Sequence, residues 1–335
     1  MMLMTRAVGV LGTGSYVPES IMTNDDLAKL VDTNDEWIRT RTGMKERRIA
    51  PKGLDTSHMA TAAGRRALEM AGINPEELDL IIVATLTPDM TIPSVACMVQ
   101  ANLGAVNAAA FDLYAGCSGF AYGTITAMNF IKNGMYNKIL VIGAEVLSRV
   151  LNWTDRNTCV LFGDGAGAAV FGVVEEGYGI LGADMGADGK GGKYLNIPAS
   201  GVAIIPTDEV RAKGLPYVHM DGKEVYKFAV KAMGTTALKA LEQAGLTYGD
   251  IDLLIPHQAN MRIIQSAAKR LHLPMEKVFV NIEKYANTSA ASIPIAMDEA
   301  NRSGLMKKGD VIALVGFGAG LTWGAVVMKW FVNNQ

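Results

Sequence analysis

Cys117, His257 and Asn287 are the side chains of this chain that best fit nucleophilic catalysis. Cys117 lies between an apolar, strand-like segment and the start of a predicted helix. Because unpaired N–H groups and the dipole at a helix N-terminus stabilise a thiolate over a thiol, this position favours a nucleophile. A lone cysteine is also compatible with a small buried side chain, which is the interpretation that we keep for Cys97 and Cys159.

His257 and Asn287 each allow a structural and a catalytic interpretation. His257 follows a short apolar segment, and ligand sites in open α/β sheets lie beyond the carboxyl ends of strands. A core or capping histidine is the alternative. Asn287 precedes a run of small residues, where asparagine is a good helix N-cap.

A duplication organises the elements that must position these residues. Residues 67–82 match residues 240–255 at an offset of 173, with eight of sixteen positions identical. Each copy contains the end of a predicted helix, a glycine that stops it (Gly72 or Gly245), a short turn and an apolar strand. Both strands are nearly continuous apolar runs, which is typical of strands covered by helices on both faces.

The same order of elements continues after the repeat in both halves. A second strand (AAFDL, then VFVNI), a helix start, a third strand (KILVIGAEV, then DVIALVGFG) and a glycine-rich turn with a final strand follow one another. We therefore predict an α/β protein with an N-terminal half over residues 1–174 and a C-terminal half over residues 175–335. The segment 184–218 is predicted to be an excursion loop.

A local two-fold relation between the halves would bring the three candidate residues to one site. Cys117 and Asn287 start equivalent elements of the two copies and would face each other, with His257 at an adjacent strand end. Such a site combines a nucleophile with neutral hydrogen-bond donors. The turn Gly316–Gly320 could supply N–H groups to an oxyanion or simply reverse the chain.

Composition excludes several classes. The 335 residues are half hydrophobic and include 36 glycines, which predicts a large core, and the net charge of −2 gives no reason to bind nucleic acid or an anionic membrane. Apolar segments are shorter than the ~20 residues of a membrane span. Three cysteines without a CxxC pair predict free thiols in the cytoplasm, and the His and Cys spacing predicts no metal site. The segment Gly12–Val17 lacks the third glycine of a dinucleotide motif, so an NAD-type oxidoreductase is rejected.

Two basic clusters are candidates for binding acidic groups. Arg262, Lys269 and Arg270 share one face of a predicted helix that follows His257, where they could hold an acidic partner or form a solvated face. Trp37, close to Arg41, suits an adenine or a phosphate, although a surface turn would look similar.

Several motifs resemble those of the β-ketoacyl-[acyl-carrier-protein] synthase III family, the starter condensing enzymes of bacterial fatty-acid synthesis. The resemblance covers about residues 8–330 and rests on Gly12-Thr-Gly-Ser-Tyr-Val-Pro18, Asp35-Glu-Trp-Ile-Arg-Thr-Arg-Thr-Gly43, Cys117-Ser-Gly-Phe120, Phe162-Gly-Asp-Gly-Ala-Gly167, Pro256-His-Gln-Ala-Asn260 and Asn287-Thr-Ser-Ala-Ala291. It implies a thiolase-like fold, with two pseudo-symmetric βαβαβαββ halves in five α-β-α-β-α layers. It also implies a cytoplasmic homodimer.

The resemblance implies a decarboxylative Claisen condensation. Cys117 takes an acyl group from acyl-CoA, and His257 and Asn287 hydrogen-bond the thioester carbonyl of malonyl-[acyl-carrier protein] as it loses carbon dioxide. The N–H groups of Cys117 and of the turn at Ala319 hold the oxyanion, and no cofactor or metal takes part. An acyl-transferring synthase of secondary metabolism with the same three residues is the alternative. A subunit that only binds a carrier protein would not need these residues together.

Three sets of binding residues are also implied by the resemblance. The residues expected to bind coenzyme A are Thr33, Trp37, Arg41, Arg156, Gly222 and Asn260. The residues expected to meet the carrier protein are Gln258, Ala259, Asn260, Met261, Arg262, Lys269 and Arg270. The residues expected at the acyl pocket are Ile92 and Phe317. Ala319 stands where the family often has glycine, and Ile92 stands where acetyl-specific members carry a bulky aromatic residue, which predicts a larger pocket and branched primers such as isobutyryl- or isovaleryl-CoA.

Overall fold

The computed structural model describes residues 6–205 and 207–332, so the outermost residues of both predicted halves, 1–5 and 333–335, lie outside the described part. Its strands are β1 (Val8–Tyr16), β2 (Ile21–Thr23), β3 (Glu46–Arg48), β4 (Leu80–Ala84), β5 (Ala109–Leu113), β6 (Lys138–Glu145), β7 (Gly165–Val173), β8 (Gly179–Ala187), β9 (Leu195–Asn196), β10 (His219–Met220), β11 (Leu253–Pro256), β12 (Val311–Gly318) and β13 (Thr322–Lys329). Its helices are α1 (Asn24–Ala28), α2 (Asp35–Thr42), α3 (Thr56–Ala71), α4 (Val95–Leu103), α5 (Gly119–Lys132), α6 (Arg156–Cys159), α7 (Asp208–Ala212), α8 (Gly222–Ala244), α9 (Met261–Arg270), α10 (Ile282–Tyr285) and α11 (Ser292–Arg302).

Two large sheets form the centre of the protein. The first has the order β1-β7-β6-β4-β5, with β4 parallel to both β5 and β6 and with β7 antiparallel to β6 and β1. The second has the order β11-β12-β13-β8, with a parallel β11–β12 pair and antiparallel pairs elsewhere. Strands β4 and β11 are buried along their whole length, as expected for strands that helices cover on both faces.

The helices pack in three layers around the two sheets. Helices α3 and α4 cover the outer face of the first sheet, and α8 covers the outer face of the second together with α9. Helices α5 and α11 contact strands of both sheets and therefore lie between them. The resulting α-β-α-β-α arrangement confirms the predicted five-layered thiolase-like fold.

The sequence repeat corresponds to equivalent pieces of the two halves. Helix α3 ends at Gly72 and helix α8 ends at Gly245, and both glycines adopt the left-handed conformation, with φ of 64° and 68°. Such a conformation closes a helix at little cost only for glycine. A buried strand follows in each half. The first sheet uses strands up to Val173 and the second begins at Gly179, while the domain division at 174/175 stays a prediction.

Two predicted elements of the C-terminal half are wrong. The segment VFVNI forms no strand: Val278 makes only an isolated bridge to Leu254, and the chain turns into α10 at Ile282. The turn is held by Gln258, whose Oε1 accepts a hydrogen bond from the Asn281 N–H. The predicted excursion loop 184–218 begins too early, because β8 continues to Ala187 in register with β13.

Within residues 6–205 and 207–332, none of the helices combines the length and the apolar character that crossing a bilayer requires. The longest described helix, α8, carries charged side chains along its course and packs on the second sheet.

Candidate active site

Cys117 lies at the junction between β5 and α5, in a short 3-10 turn formed by residues 116–118. Gly116 has a φ of 54°, and a Cβ built on it would lie 2.6 Å from the Ala319 carbonyl oxygen. A Cβ built on Gly318 would lie 2.5 Å from the Cys117 nitrogen. Both positions therefore require glycine so that the turn at the end of β12 can pack directly on Cys117.

His257 lies just after β11 and is 1% exposed. Its Nδ1 is 2.6 Å from the Ser292 hydroxyl oxygen at the start of α11. Its ring stands edge-on to Phe317, with 5.4 Å between the centroids. These contacts orient the imidazole so that Nε2 is the nitrogen left for a substrate.

Asn287 lies in the crossover between α10 and α11 and is 8% exposed. Its main chain makes two hydrogen bonds to the segment after α6. Its N–H donates to the Leu161 carbonyl, and its carbonyl accepts from the Gly163 N–H. Its side-chain Oδ1 accepts a hydrogen bond of 2.8 Å from the Ser289 N–H. The amide oxygen is thereby occupied, and in the described part of the chain the NH₂ group has no acceptor.

The structure brings the three predicted residues to one cavity, and two cavities meet at Cys117. The first, of about 140 Å³, is lined by Cys117, His257 and Asn287 together with residues of α8, α9 and β12. The second, of about 200 Å³, starts at Cys117 and is mainly apolar, with Leu86, Tyr114, Leu147, Phe162, Val218 and Ala319 among its lining residues. A thioester bound at Cys117 could thus direct its two arms into different cavities.

Burial controls the protonation of the nucleophile and of the histidine. Desolvation raises the pKa of the Cys117 thiol to about 12, and the nearby Ser289 hydroxyl and the Ala319 N–H lower it by less. Burial lowers the pKa of His257 to about 3, so its imidazole is neutral at physiological pH. Desolvation in this buried site therefore opposes the predicted stabilisation of the thiolate by the helix N-terminus.

Glu145 is a fully buried carboxyl group close to this site that the sequence analysis missed. Its Oε2 accepts hydrogen bonds from the Thr87 hydroxyl, the Leu86 N–H and the Thr85 hydroxyl, at 2.6, 3.1 and 3.2 Å. Its Oε1 has no hydrogen-bond partner within the described residues. Burial raises the pKa of Glu145 to about 7, although the Thr87 hydroxyl, the Leu86 N–H and Ser289 lower it. A charged residue at the end of an otherwise apolar strand was the signal that could have revealed it.

The residues expected to bind coenzyme A fall into two groups. Gly222 and Asn260 line the first cavity. Trp37 lies apart from them between two guanidinium groups, with the Arg41 Cζ at 4.6 Å and the Arg156 Cζ at 5.0 Å from its ring centroid. At this separation Arg156 contacts the indole directly, so an adenine could enter between them only if Arg156 moved. Thr33 has a buried hydroxyl oxygen without a described hydrogen-bond partner.

The residues expected to meet the carrier protein are only partly accessible. Arg262, Lys269 and Arg270 are exposed on α9, while Ile263, Ile264 and Ala267 on the other face are buried, as the helical spacing predicted. Ala259, Asn260 and Met261 are half-buried at the start of this helix. The inclusion of Gln258 was wrong, because it is 1% exposed and its Nε2 donates hydrogen bonds to the Pro256 and Phe279 carbonyls.

The residues expected at the acyl pocket and the oxyanion turn occupy three different environments. Phe317 is buried beside His257 and lines the first cavity rather than the second. Ile92 is 83% exposed and lines neither cavity in the single chain. Ala319 has no positive φ, so alanine fits the turn without backbone strain. Its N–H, like that of Cys117, lies close enough to the Cys117 sulfur to lower the thiol pKa.

Across residues 6–205 and 207–332, no group of three His, Cys, Asp or Glu side chains is arranged to hold a metal ion. Ser289 and Ser292 are polar residues of the site that the sequence analysis did not single out, although both stand within one or two turns of Asn287. Their spacing gave no signal, because small polar residues are common at helix starts.

Comparisons with known proteins agree with this geometry. Two family models match: 3-oxoacyl-[acyl-carrier-protein] synthase III over residues 111–189, and the C-terminal part of the same family over residues 241–330. The beta-ketoacyl-[acyl-carrier-protein] synthase III of Caldanaerobacter subterraneus is 63% identical over 97% of this chain and 98% of its own length.

Solved structures lead to the same family. The 3-oxoacyl-[acyl-carrier-protein] synthase III of Aquifex aeolicus is 50% identical, covers 96% of this chain and 100% of its own, and superposes with a TM-score of 0.90. The priming beta-ketosynthase of the R1128 polyketide pathway is 38% identical, with a TM-score of 0.92 and 98% of each chain covered. This chain therefore belongs to the 3-oxoacyl-[acyl-carrier-protein] synthase III family and is a condensing enzyme of the acyltransferase type.

Proposed function

We propose that this chain condenses an acyl-CoA primer with malonyl-[acyl-carrier protein], with Cys117 as the nucleophile and His257 and Asn287 as hydrogen-bond donors. The hydrogen bonds of His257 and Asn287 support their assignment as donors. The protein itself occupies His257 Nδ1 and Asn287 Oδ1, which leaves an imidazole nitrogen and an amide NH₂ for the cavity that contains Cys117.

In the first half-reaction the Cys117 sulfur attacks the carbonyl carbon of acyl-CoA. The new carbon–sulfur bond forms on Cys117, the bond to the coenzyme A sulfur breaks, and the thiol proton leaves with that sulfur. The N–H groups of Cys117 and Ala319 hold the oxyanion of the tetrahedral intermediate, because both already lie beside the sulfur. The acyl chain occupies the second cavity, which is the larger of the two, and the pantetheine arm occupies the first, which Gly222 and Asn260 line.

In the second half-reaction malonyl-[acyl-carrier protein] replaces coenzyme A in the first cavity. The bond to the carboxylate breaks, carbon dioxide leaves, and the electron pair forms an enolate whose oxygen accepts hydrogen bonds from His257 and Asn287. The enolate carbon attacks the acyl group on Cys117, and the sulfur leaves and takes up a proton from solvent. Neutral donors in a buried site stabilise this developing charge without reorganisation.

Coenzyme A and the carrier protein are proposed to approach from the side where α2 and α9 meet. The Arg262 side chain donates to the Thr40 carbonyl and the Asn260 side chain donates to the Arg41 carbonyl, so the basic face of α9 is continuous with the Trp37 cluster. An acidic carrier protein fits the exposed Lys269 and Arg270. The nucleotide of coenzyme A fits Trp37 and the guanidinium groups beside it.

We also propose that the enzyme is a cytoplasmic homodimer. Strand β5 ends the first sheet, and Phe111, Tyr114 and Ile92 near its free edge are 37%, 62% and 83% exposed. Exposed apolar side chains beside an unpaired strand edge are typical of an interface. A molar mass near 35.7 kDa in light scattering would contradict the dimer.

The unpaired thiols of Cys97, Cys117 and Cys159 suit a reducing compartment such as the cytoplasm.

The test of the function is intact-mass spectrometry after incubation with acetyl-, isobutyryl- and isovaleryl-CoA. We expect one acyl group on the wild type and none on Cys117→Ser. Cys97→Ser is the matched control, because Cys97 is the exposed thiol that a non-specific reaction would modify, and this variant should carry the same acyl group as the wild type. Absence of any adduct on a folded wild type would overturn the assignment. We expect branched primers to be accepted, because Ile92 lines neither cavity of the single chain and would reach the acyl pocket of the second copy in the proposed dimer, where it is smaller than the aromatic residue of acetyl-specific members. A higher specificity constant for acetyl-CoA than for every branched primer would contradict that preference.

The alternative is a priming synthase of secondary metabolism with the same triad. The similarity to the R1128 priming beta-ketosynthase supports this alternative. The two functions use the same chemistry and differ in the carrier protein that accepts the product. Comparison of malonyl groups on fatty-acid and polyketide carrier proteins therefore separates them.

A further inference from the structure

We propose that Ser292 is a positioning residue that fixes His257 in the tautomer with its hydrogen on Nε2, the form that can donate to the thioester carbonyl. The inference rests on the proposed function, because it concerns how the same site carries out decarboxylation. It assigns a task to a residue that the mechanism above does not use.

The hydrogen bonds around Ser292 determine which group donates. Ser292 is 2% exposed, and its Oγ lies 2.6 Å from His257 Nδ1. The same oxygen accepts a hydrogen bond of 3.3 Å from the backbone N–H of Gln258. Within residues 6–205 and 207–332, His257 Nδ1 is the one acceptor near enough to take the Ser292 hydroxyl hydrogen. We therefore infer that Ser292 donates to Nδ1.

The opposite arrangement would be costly. If Nδ1 carried the hydrogen and donated to Ser292, the serine oxygen would accept two hydrogen bonds while its own hydrogen stayed buried without an acceptor. An unsatisfied buried donor costs roughly 1–3 kcal/mol. The Gln258 N–H thus favours the orientation in which the Ser292 hydroxyl donates to Nδ1. That hydrogen bond in turn favours the imidazole tautomer with its hydrogen on Nε2.

Tautomer choice matters here because a doubly protonated imidazole is not accessible. Burial lowers the pKa of His257 to about 3, so only the two neutral forms remain at physiological pH. One presents an N–H to the cavity and the other presents a lone pair. A lone pair facing the enolate oxygen would repel the charge that forms when carbon dioxide leaves.

The role predicts an effect on one half-reaction more than on the other. Acylation of Cys117 uses N–H groups of the backbone, whereas decarboxylation uses the His257 Nε2–H. Removing the hydroxyl in Ser292→Ala should therefore slow release of carbon dioxide about tenfold or more, by analogy with the loss of groups that orient metal-bound histidines. Ser292→Thr keeps a hydroxyl at this position and should restore the rate.

The direct readout is the tautomer itself. Long-range ¹H–¹⁵N spectra of protein labelled at the histidine ring nitrogens report it, and His257→Ala assigns the signal among the four histidines. We expect a hydrogen on Nε2 in the wild type and in Ser292→Thr, and a shift toward the Nδ1–H form in Ser292→Ala. The two half-reactions are then measured separately, as coenzyme A released from acyl-CoA and carbon dioxide released from malonyl-[acyl-carrier protein].

Two results would overturn the proposal: a hydrogen on Nδ1 in the wild type, or a Ser292→Ala variant that keeps both the wild-type tautomer and the wild-type decarboxylation rate. If Ser292→Ala does not fold, a hydrogen on Nδ1 in the wild type still overturns the proposal, and Ser292→Cys, which replaces the hydroxyl with a weak donor, takes the place of the alanine variant. A wild type that forms no acyl-enzyme would refute the proposed function, but the spectrum would still report the tautomer. The two failures are therefore distinguishable.

Discussion

The Ser289 N–H donates a hydrogen bond of 2.8 Å to Asn287 Oδ1, and this bond fixes the orientation of the Asn287 amide. Ser289 is itself held in a left-handed conformation, with a φ of 48°. Because the oxygen faces the backbone, the NH₂ group faces the cavity that Cys117 and His257 also line. The residue that resembled a helix N-cap in the sequence thus presents a donor to the substrate.

Asn287→Asp tests the need for that donor. The new carboxylate cannot donate and places a negative charge beside the enolate, so we expect decarboxylation to slow by about 10²–10³-fold, the usual cost of losing such a donor. Acylation of Cys117 should fall much less. Release of carbon dioxide and formation of the acyl-enzyme are measured on the same preparation. An equal loss in both steps would show that Asn287 shapes the whole site rather than the second half-reaction.

Gly318→Ala tests the close approach of the glycine-rich turn to the nucleophile. The added Cβ would lie 2.5 Å from the Cys117 nitrogen, 2.8 Å from its Cβ and 3.0 Å from its sulfur. We expect the turn to move and acylation to slow by at least about tenfold. The Ala319 N–H would then no longer point at the oxyanion, and the transition state would lose part of its stabilisation. Gly201→Ala is the matched control, since a Cβ there meets no atom within 4 Å. Wild-type acylation by Gly318→Ala would contradict the assigned geometry.

Glu145→Gln tests the buried carboxyl through the pH dependence of stability. The folded pKa, about 7, lies above the ordinary value of 4.5, so the unfolded chain ionises first as pH rises. The stabilising contribution is complete below pH 4.5 and is lost as pH passes through 7, a change of about 3 kcal/mol in the free energy of unfolding. A glutamine does not ionise, so the free energy of unfolding of the variant should not fall in this way. Relative to the wild type it should rise by about the same amount between pH 4.5 and pH 8.

Denaturant unfolding at the two pH values measures the gain. The exposed Glu176 provides the matched control, and Glu176→Gln should show no such difference. An equal pH dependence in Glu145→Gln and in the wild type would mean that Glu145 is charged in the folded protein at neutral pH.

Lys269→Glu tests the surface proposed for the carrier protein. Lys269 is exposed on α9, next to the acidic partner's proposed position, and reversing its charge should raise the KM for malonyl-[acyl-carrier protein] several-fold. The KM for acyl-CoA should change little, and the effect should shrink as salt rises. Lys52→Glu reverses an exposed charge elsewhere and should leave both values unchanged. A larger change for acyl-CoA than for the carrier protein would place coenzyme A on this surface instead.

The local elements of this protein can be predicted from its sequence. The helix ends at Gly72 and Gly245, the buried strands after them, and the exposed and buried faces of α9 follow from patterns that span only a few turns or strand positions. The position of Cys117 at a strand-to-helix junction was predicted for the same reason. Backbone preference and apolar periodicity act over short distances, so they can be inferred without knowing the rest of the fold.

The contacts that join these elements into a site depend on the packing of the whole fold. The Ser292 hydroxyl reaches His257 across 35 residues, and Glu145 meets a loop almost 60 residues earlier in the chain. The side chain of Gln258 turns inward, although Ala259 and Asn260, which follow it in the motif, are more accessible. Burial raises the pKa of Cys117, because the surrounding core excludes water, whereas its place at a helix start suggested the opposite direction. Desolvation and hydrogen bonding depend on every group packed around a side chain, and a linear pattern does not specify those groups.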